Sequence, residues 1–199
     1  QVHGYAGDTG SYDDMRNANL IHTIERRKGL PVALGILYIV TARGLGWECN
    51  GINFPAHFMI RLQLGQARRI LDPFNGGKVV EIQGLREMLK LVTGTGAELK
   101  PEYYQPAGNR DLLLRLLNNI RVRAAAEQDF TRAAEILRRM LMIAPDSPVL
   151  WHDYGLTLAQ AGAYAGATQA MQTCLEQARD PQLRQFAEAA MARLRKYLN

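Results

Sequence analysis

The 199-residue sequence predicts an α+β domain, a central helix on an antiparallel sheet, followed by an all-α domain. Three observations carry that reading. A nearly continuous apolar run from Val32 to Ala42 opens behind Pro31, with the length and punctuation of a buried helix. From Trp47 the apolar period shifts towards two, Phe58, Ile60 and Leu62 alternating with Met59, Arg61 and Gln63, which marks strands. Beyond residue 109 the strand signal disappears, and the sequence aligns with itself at a shift of 34 residues. The expected domains are residues 1–100 and 109–199, each long enough to bury a core.

Taken in order, residues 1–18 mix glycine, aspartate and tyrosine without periodicity and read as an irregular arm whose order depends on docking. Asn19 is placed to cap a short helix over Leu20, Ile21 and Ile24, ended by Gly29. The basic run Arg26-Arg27-Lys28 suits that helix's C-terminus and its plain reading is a solvated face. Pro31 fits the first turn of the next helix, where a missing donor is harmless. That helix is apolar almost all round, so it is expected to be covered on nearly all sides and to stop at Gly44-Leu45-Gly46. Gly65-Gln66 supports a hairpin turn, with Arg68 to Leu71 as the returning strand. Asn75-Gly76-Gly77 suits a turn with positive φ, Val79 to Ile82 a short strand, and Gly84 to Val92 a helix. Residues 93–109, rich in glycine and proline, are expected to connect the two domains.

In the second half Leu116 falls on Leu150, Ile120 on Tyr154, Phe130 on Tyr164 and Leu137 on Met171. The segment resembles the tetratricopeptide-repeat family, about two helix–turn–helix repeats with a capping helix from Pro181 to Leu198. Gly155, Ala159 and Ala167 match the family's small-residue positions, whereas Arg121 stands where the second repeat has Gly155. The resemblance implies a groove for a protein or peptide partner, and the same helices would also serve as a buttress for the first domain.

Apolar residues make up 47% and charged residues 22%, an ordinary globular balance. No apolar run approaches ~18 residues, so no membrane partner is expected. Without a secretory leader pattern the expected location is cytoplasmic. The first residue is Gln1 rather than Met, so natural residues before it are expected to be missing. Cys49 and Cys174 lie in segments of different periodicity and form neither a disulfide framework nor a metal spacing. The net charge of +5 divides evenly, residues 1–108 holding 12 basic and 10 acidic side chains and residues 109–199 holding 12 and 9. With no basic stripe, nucleic acid is not an expected partner.

The candidate chemistry lies at His57 and Asp72. Strand pairing brings residues distant in sequence to about 5 Å, so a histidine and an aspartate at neighbouring strand ends can meet across a hairpin. That is the orienting half of a catalytic triad; its plain structural reading is a pair that fixes the hairpin. His22 and Glu25 share a helix face at i, i+3 but lack a third ligand, and Gly94-Thr95-Gly96 lacks the lysine of a phosphate loop, so neither metal nor cofactor is expected. His3 and His152 read as surface or repeat-face residues.

The order helix, histidine strand, aspartate strand resembles the transglutaminase-like (papain-like) fold, whose active members use Cys, His and Asp in that order. The resemblance assigns His57 and Asp72 to the second and third positions and puts the nucleophile's place, the N-terminus of the central helix, at about Pro31. Proline offers no nucleophile, and no Cys, Ser or Thr lies between Gly29 and Val40. Cys49 is the remaining candidate, against a plain reading as a small buried hydrophobe. The stretches from Glu25 to Pro31, Phe54 to Phe58 (with Ala56 where glycine is common) and Ile70 to Gly77 are similar to those of the bacterial SirB family, which joins such a domain to tetratricopeptide repeats. That resemblance implies a fold more than a role; Pro31 in the nucleophile's place is what points to a non-catalytic interaction or scaffold protein, and the alternative is an amide or peptide hydrolase or transferase using His57 and Asp72 with Cys49 or water.

Overall fold

In a computed structural model, which describes residues 3–55 and 57–197, the N-terminal arm is docked by buried polar groups. Arg26 donates from Nη2 to Asp8 Oδ2 at 2.8 Å and from Nη1 to Asn17 Oδ1 at 3.0 Å, and Asn17 Nδ2 donates to the Ser11 carbonyl at 2.6 Å. Asp8 and Asn17 are buried, and these partners offset the desolvation that would otherwise keep them out of the interior. The arm forms strand β1 (Ala6–Gly7), paired in parallel with β2 (Lys28–Gly29), and a 3-10 turn, Met15–Ala18; the expectation of an irregular arm is corrected accordingly. The run expected to be a solvated face is split, with Arg26 turned inward and Arg27 and Lys28 exposed.

Helix α1 (Leu20–Arg26) starts as the sequence predicts, Asn19 Oδ1 accepting from the Ile21 N–H at 2.9 Å. It ends at Arg27, whose φ of 56° takes the left-handed position, rather than at Gly29. Gly29 is needed for close approach instead: a Cβ there would lie 2.7 Å from the Thr23 side chain. Helix α2 (Pro31–Gly44) carries Pro31 in its first turn. Its flank is less covered than its composition predicts, because Val40 remains 64% exposed.

Strands β3 (Glu48–Phe54), β4 (His57–Leu64) and β5 (Ala67–Asp72) form the predicted antiparallel core, with β6 (Lys78–Val79) beyond β5. Ile82 opens helix α3 (Ile82–Thr93) rather than ending a strand. The connector expected over 93–109 contributes β7 (Pro106–Ala107), which pairs with Gly51 and Ile52 and completes the order β6-β5-β4-β3-β7. Strand alternation then divides the side chains between two faces. Phe58 and Ile60 face α2, where Gly35 is so close that a Cβ would lie 2.2 Å from the Phe58 ring. Ile52, Phe54 and Met59 face α3 and pack with Leu85 and Leu89.

Helix α4 (Asn109–Ala126) follows, and two compact units divide within it, between Leu116 and Leu117. In the second unit α5 (Phe130–Ile143), α6 (Pro148–Gln160), α7 (Tyr164–Gln177) and α8 (Pro181–Leu194) complete the array. The 34-residue period holds to the residue: α4 ends at Ala126 and α6 at Gln160, while α5 starts at Phe130 and α7 at Tyr164. The left-handed turn position is Gly162 in one repeat and Gln128, with φ 59°, in the other. Gly155 lets α6 approach α7, since a Cβ would lie 2.9 Å from Met171 and 3.2 Å from the Ala167 carbonyl. Arg121, the departure in the first repeat, pairs with Asp153 at 3.2 Å. The cap expected to reach Leu198 is helical to Leu194 and 3-10 from Arg195 to Tyr197. Gln1, Ala56 and Leu198 lie outside the described residues, so the readings made on them have no structural counterpart.

Candidate functional site

His57 opens β4 and Asp72 closes β5. Ile60 lies opposite Leu71, so continuing the register sets Asp72 opposite Met59, one diagonal step from His57 on the same face. His57 Nε2 and Asp72 Oδ2 stand 2.9 Å apart, a close contact that lies off the axis of a ring N–H hydrogen bond. Asp72 is buried, whereas the His57 side chain keeps 27% of its exposure.

Asp72 has further partners in the turn that follows it. Its Oδ1 accepts from the backbone N–H groups of Phe74 at 2.9 Å and Asn75 at 3.2 Å, and its Oδ2 accepts from Asn75 Nδ2 at 2.7 Å. Burial by itself pushes the carboxyl pKa up; the contact with His57 and the bonds from Asn75 outweigh it, and the pKa lies below its ordinary value. Asp72 therefore stays ionised and organises the turn, whose Gly76 and Gly77 take φ of 67° and 77°. The turn is tied in from the other side, since the Gly7 N–H donates to the Phe74 carbonyl at 2.7 Å and Gly7 pairs with Gly29, two residues before Pro31. Sequence reasoning missed Asn75 and Gly7 in these roles. The turn signature Asp-Pro-Phe-Asn could have suggested Asn75, but nothing local points to Gly7.

Pro31 occupies the first turn of α2 behind Leu30, whose N–H donates to the Asn17 carbonyl at 2.9 Å. Neither Pro31 nor Leu30 carries a group able to attack a carbonyl. Cys49 lies opposite Leu62, in β3, on the face towards α2. His57 is five residues from Leu62 with the opposite alternation, so the two side chains leave opposite faces of the sheet about 16 Å apart along the strand. Burial pushes the Cys49 thiol pKa up, against a smaller opposing effect of Arg43, which disfavours thiolate. Cys174 is buried in the repeat core with its pKa likewise raised by burial.

The remaining histidines stand apart from this pair. His22 Nδ1 lies 3.2 Å from Glu25 Oε2 on an exposed helix face, and His152 contacts Asp153 at 3.7 Å. Among the described residues no group of three His, Cys, Asp or Glu side chains could hold a metal ion, and no helix is long and apolar enough to cross a membrane.

Comparison with known proteins divides the chain in the same way. The family described as the transglutaminase-like superfamily matches residues 1–118, and the tetratricopeptide repeat matches residues 120–195. Among relatives, a UPF0162 protein of Xylella fastidiosa is 34% identical over 176 residues, covering 87% of this chain and 63% of the relative. A UPF0162 protein of Vibrio cholerae is 35% identical over 161 residues, covering 80% and 59% respectively. One from Haemophilus influenzae is 26% identical over 173 residues, covering 87% and 64%. The chain thus spans about three fifths of the length of the curated relatives it matches. No solved structure matches it.

Proposed function

Because this chain belongs to the transglutaminase-like superfamily and carries tetratricopeptide repeats behind that domain, we propose that it acts as a non-catalytic protein-interaction module. The observation that carries the reading is Pro31 at the start of α2, where acyl transfer by this fold needs a thiolate within reach of the histidine. Two others support it. The cysteine nearest in sequence, Cys49, leaves the opposite face of the sheet from His57, and Asp72 is engaged in holding its own turn. In this reading His57 and Asp72 are a triad remnant retained for structure. On the three motifs we further read the protein as a member of the SirB group, working in the cytoplasm without a cofactor.

The partner surface belongs to the repeats. Arg193 and Leu156 line a hollow of about 380 Å³ there, beside the stacked rings of Tyr164 and Tyr197, 4.6 Å apart. An aromatic and aliphatic floor with one cation suits a short protein segment carrying an apolar anchor and an acidic residue.

The alternative is amide or peptide hydrolysis or transfer by His57 and Asp72 with Cys49 or water, and it draws on the 2.9 Å approach of the pair. Labelling with a thiol-directed activity probe, alongside a panel of glutamine and amide substrates, separates the two. No turnover is expected, with slow Cys49 labelling that His57→Ala leaves unchanged. Rapid labelling of one cysteine that His57→Ala abolishes, or turnover lost in the same variant, would establish the enzyme instead.

A further inference from the structure

The sequence holds two Asn-Gly pairs, Asn50-Gly51 and Asn75-Gly76, chemically alike but placed by the fold in opposite settings. An asparagine before glycine is prone to lose its side-chain amide, because a following nitrogen with no side chain beside it can approach the asparagine Cγ. Asn50-Gly51 lies inside β3. Gly51 is buried there, paired with Ile60 on one side and Ala107 on the other, so its nitrogen cannot swing without breaking the sheet. The Asn50 amide is held as well, Oδ1 accepting from Arg43 Nη2 at 2.8 Å and Nδ2 donating to Glu48 Oε1 at 3.4 Å. Asn75-Gly76 lies instead in the turn after β5, where Asn75 is exposed. The Gly76 N–H has no hydrogen-bond partner among the described residues, and Gly76 and Gly77 take φ of 67° and 77°, where glycine rotates at little cost. The side-chain bond of Asn75 is the one from Nδ2 to Asp72 Oδ2 at 2.7 Å.

We propose that Asn75 is a site of spontaneous deamidation in the folded protein, and that its product opens the turn that Asp72 organises. The Gly76 nitrogen gives its proton to a solvent base and bonds to Asn75 Cγ. The Cγ–Nδ2 bond breaks, and the amide nitrogen leaves as ammonia with a proton taken from water. Water then opens the resulting cyclic imide at one of its two carbonyls, so the sum is asparagine plus water giving a carboxylate plus ammonium. Opening at one carbonyl leaves aspartate, which puts an anionic oxygen where the donor to Asp72 Oδ2 stood, and two like charges at that range disfavour each other. Opening at the other leaves isoaspartate, which removes the donor and adds one carbon to the main chain. That carbon falls between Asp72 and Gly77, whose N–H closes the turn onto the Asp72 carbonyl at 2.8 Å.

The test incubates the full chain at mildly alkaline pH, folded in buffer and unfolded in guanidinium chloride. Samples taken at intervals are digested with trypsin, and mass spectrometry follows the peptides spanning residues 44–61 and 70–78, with an unincubated sample as baseline. In the folded chain the mass gain of NH2-to-OH exchange should accumulate at residue 75 at least tenfold faster than at residue 50, part of it as isoaspartate, because the sheet protects Gly51 and the turn leaves Gly76 free. In guanidinium the two rates should converge, since the dipeptides are alike. Equal rates in the folded chain, a faster rate at residue 50, or no gain at residue 75 while the unfolded chain gains at both would overturn the site. The effect on the turn is read separately with Asn75→Asp, which carries the aspartate product from the start. In a full chain that also carries Trp151→Phe, leaving Trp47 as the sole tryptophan, its Trp47 thermal transition should fall by at least about 4 °C. A smaller fall would overturn the claim that deamidation opens the turn.

Discussion

Replacing Asp72 by Asn changes one oxygen into an amide while keeping the side chain's shape. The remaining oxygen can keep the Phe74 and Asn75 backbone N–H groups, so the new amide falls where Oδ2 stood, facing Asn75 Nδ2 at 2.7 Å and His57 Nε2 at 2.9 Å. A hydrogen bond to a charged acceptor contributes about 1.5–3 kcal/mol, and the bond from Asn75 Nδ2 is the one lost, so the expected cost is about 2–3 kcal/mol. For a unit the size of residues 1–116, unfolding entropy near 2.1 cal/mol/K per residue converts this to a fall in Tm of about 8–12 °C. Thermal unfolding followed by Trp47 fluorescence in a Trp151→Phe background reads the first unit. Because the folded protein holds this carboxyl below its ordinary pKa of 3.8, the charge stabilises fully above pH 3.8, and its contribution is lost as the pH falls through the lower folded value. The difference between the two proteins should therefore be full at pH 7 and pH 5 and shrink below pH 3.8. A fall under about 2 °C at pH 7, or a difference that keeps its size in acid, would refute the view that Asp72 holds the turn through its charge.

Gly35→Ala places a methyl 2.2 Å from the Phe58 ring and should cost about 1–3 kcal/mol by forcing α2 off the sheet, visible in the same Trp47 transition. Gln128→Gly relieves a left-handed backbone and should raise stability by about 0.5–1 kcal/mol, measured as a higher transition of the repeat unit through Trp151. Arg26→Ala removes the guanidinium that joins Asp8 to Asn17, so limited proteolysis should cut the arm between Thr9 and Asp13 faster than in the unmodified chain, with the repeat unit's transition unmoved.

The meeting of His57 with Asp72 can be anticipated because hairpin pairing is short-range: the 14 residues between them hold two strand segments and one turn, and the apolar alternation sets the face. Their chemistry cannot be read so directly. Whether Cys49 could serve them depends on which face of β3 it leaves, and the residues between Trp47 and Phe54 alternate too weakly for the period to decide. The pairing of Cys49 with Leu62 decides it. Arg26 gives the same lesson from the other direction. Its neighbours Arg27 and Lys28 carry the same charge in the same run, and the buried Asp8 and Asn17, eighteen and nine residues earlier, draw it inward.

What the sequence by itself determined is the set of elements and their phase. Pro31 and Gly44 bound α2, and the 34-residue period places the ends of α4 and α6, and the starts of α5 and α7, because periodicity and backbone punctuation are local properties of the chain. Tertiary structure alone decided the docking of the arm through β1, the addition of Pro106–Ala107 to the sheet, the side of the sheet that Cys49 occupies, and the uncovered flank of α2. Those outcomes turn on which distant backbone edges and buried polar groups find partners. Residues far apart in the chain compete for that pairing, and no window of neighbouring residues contains the competitors.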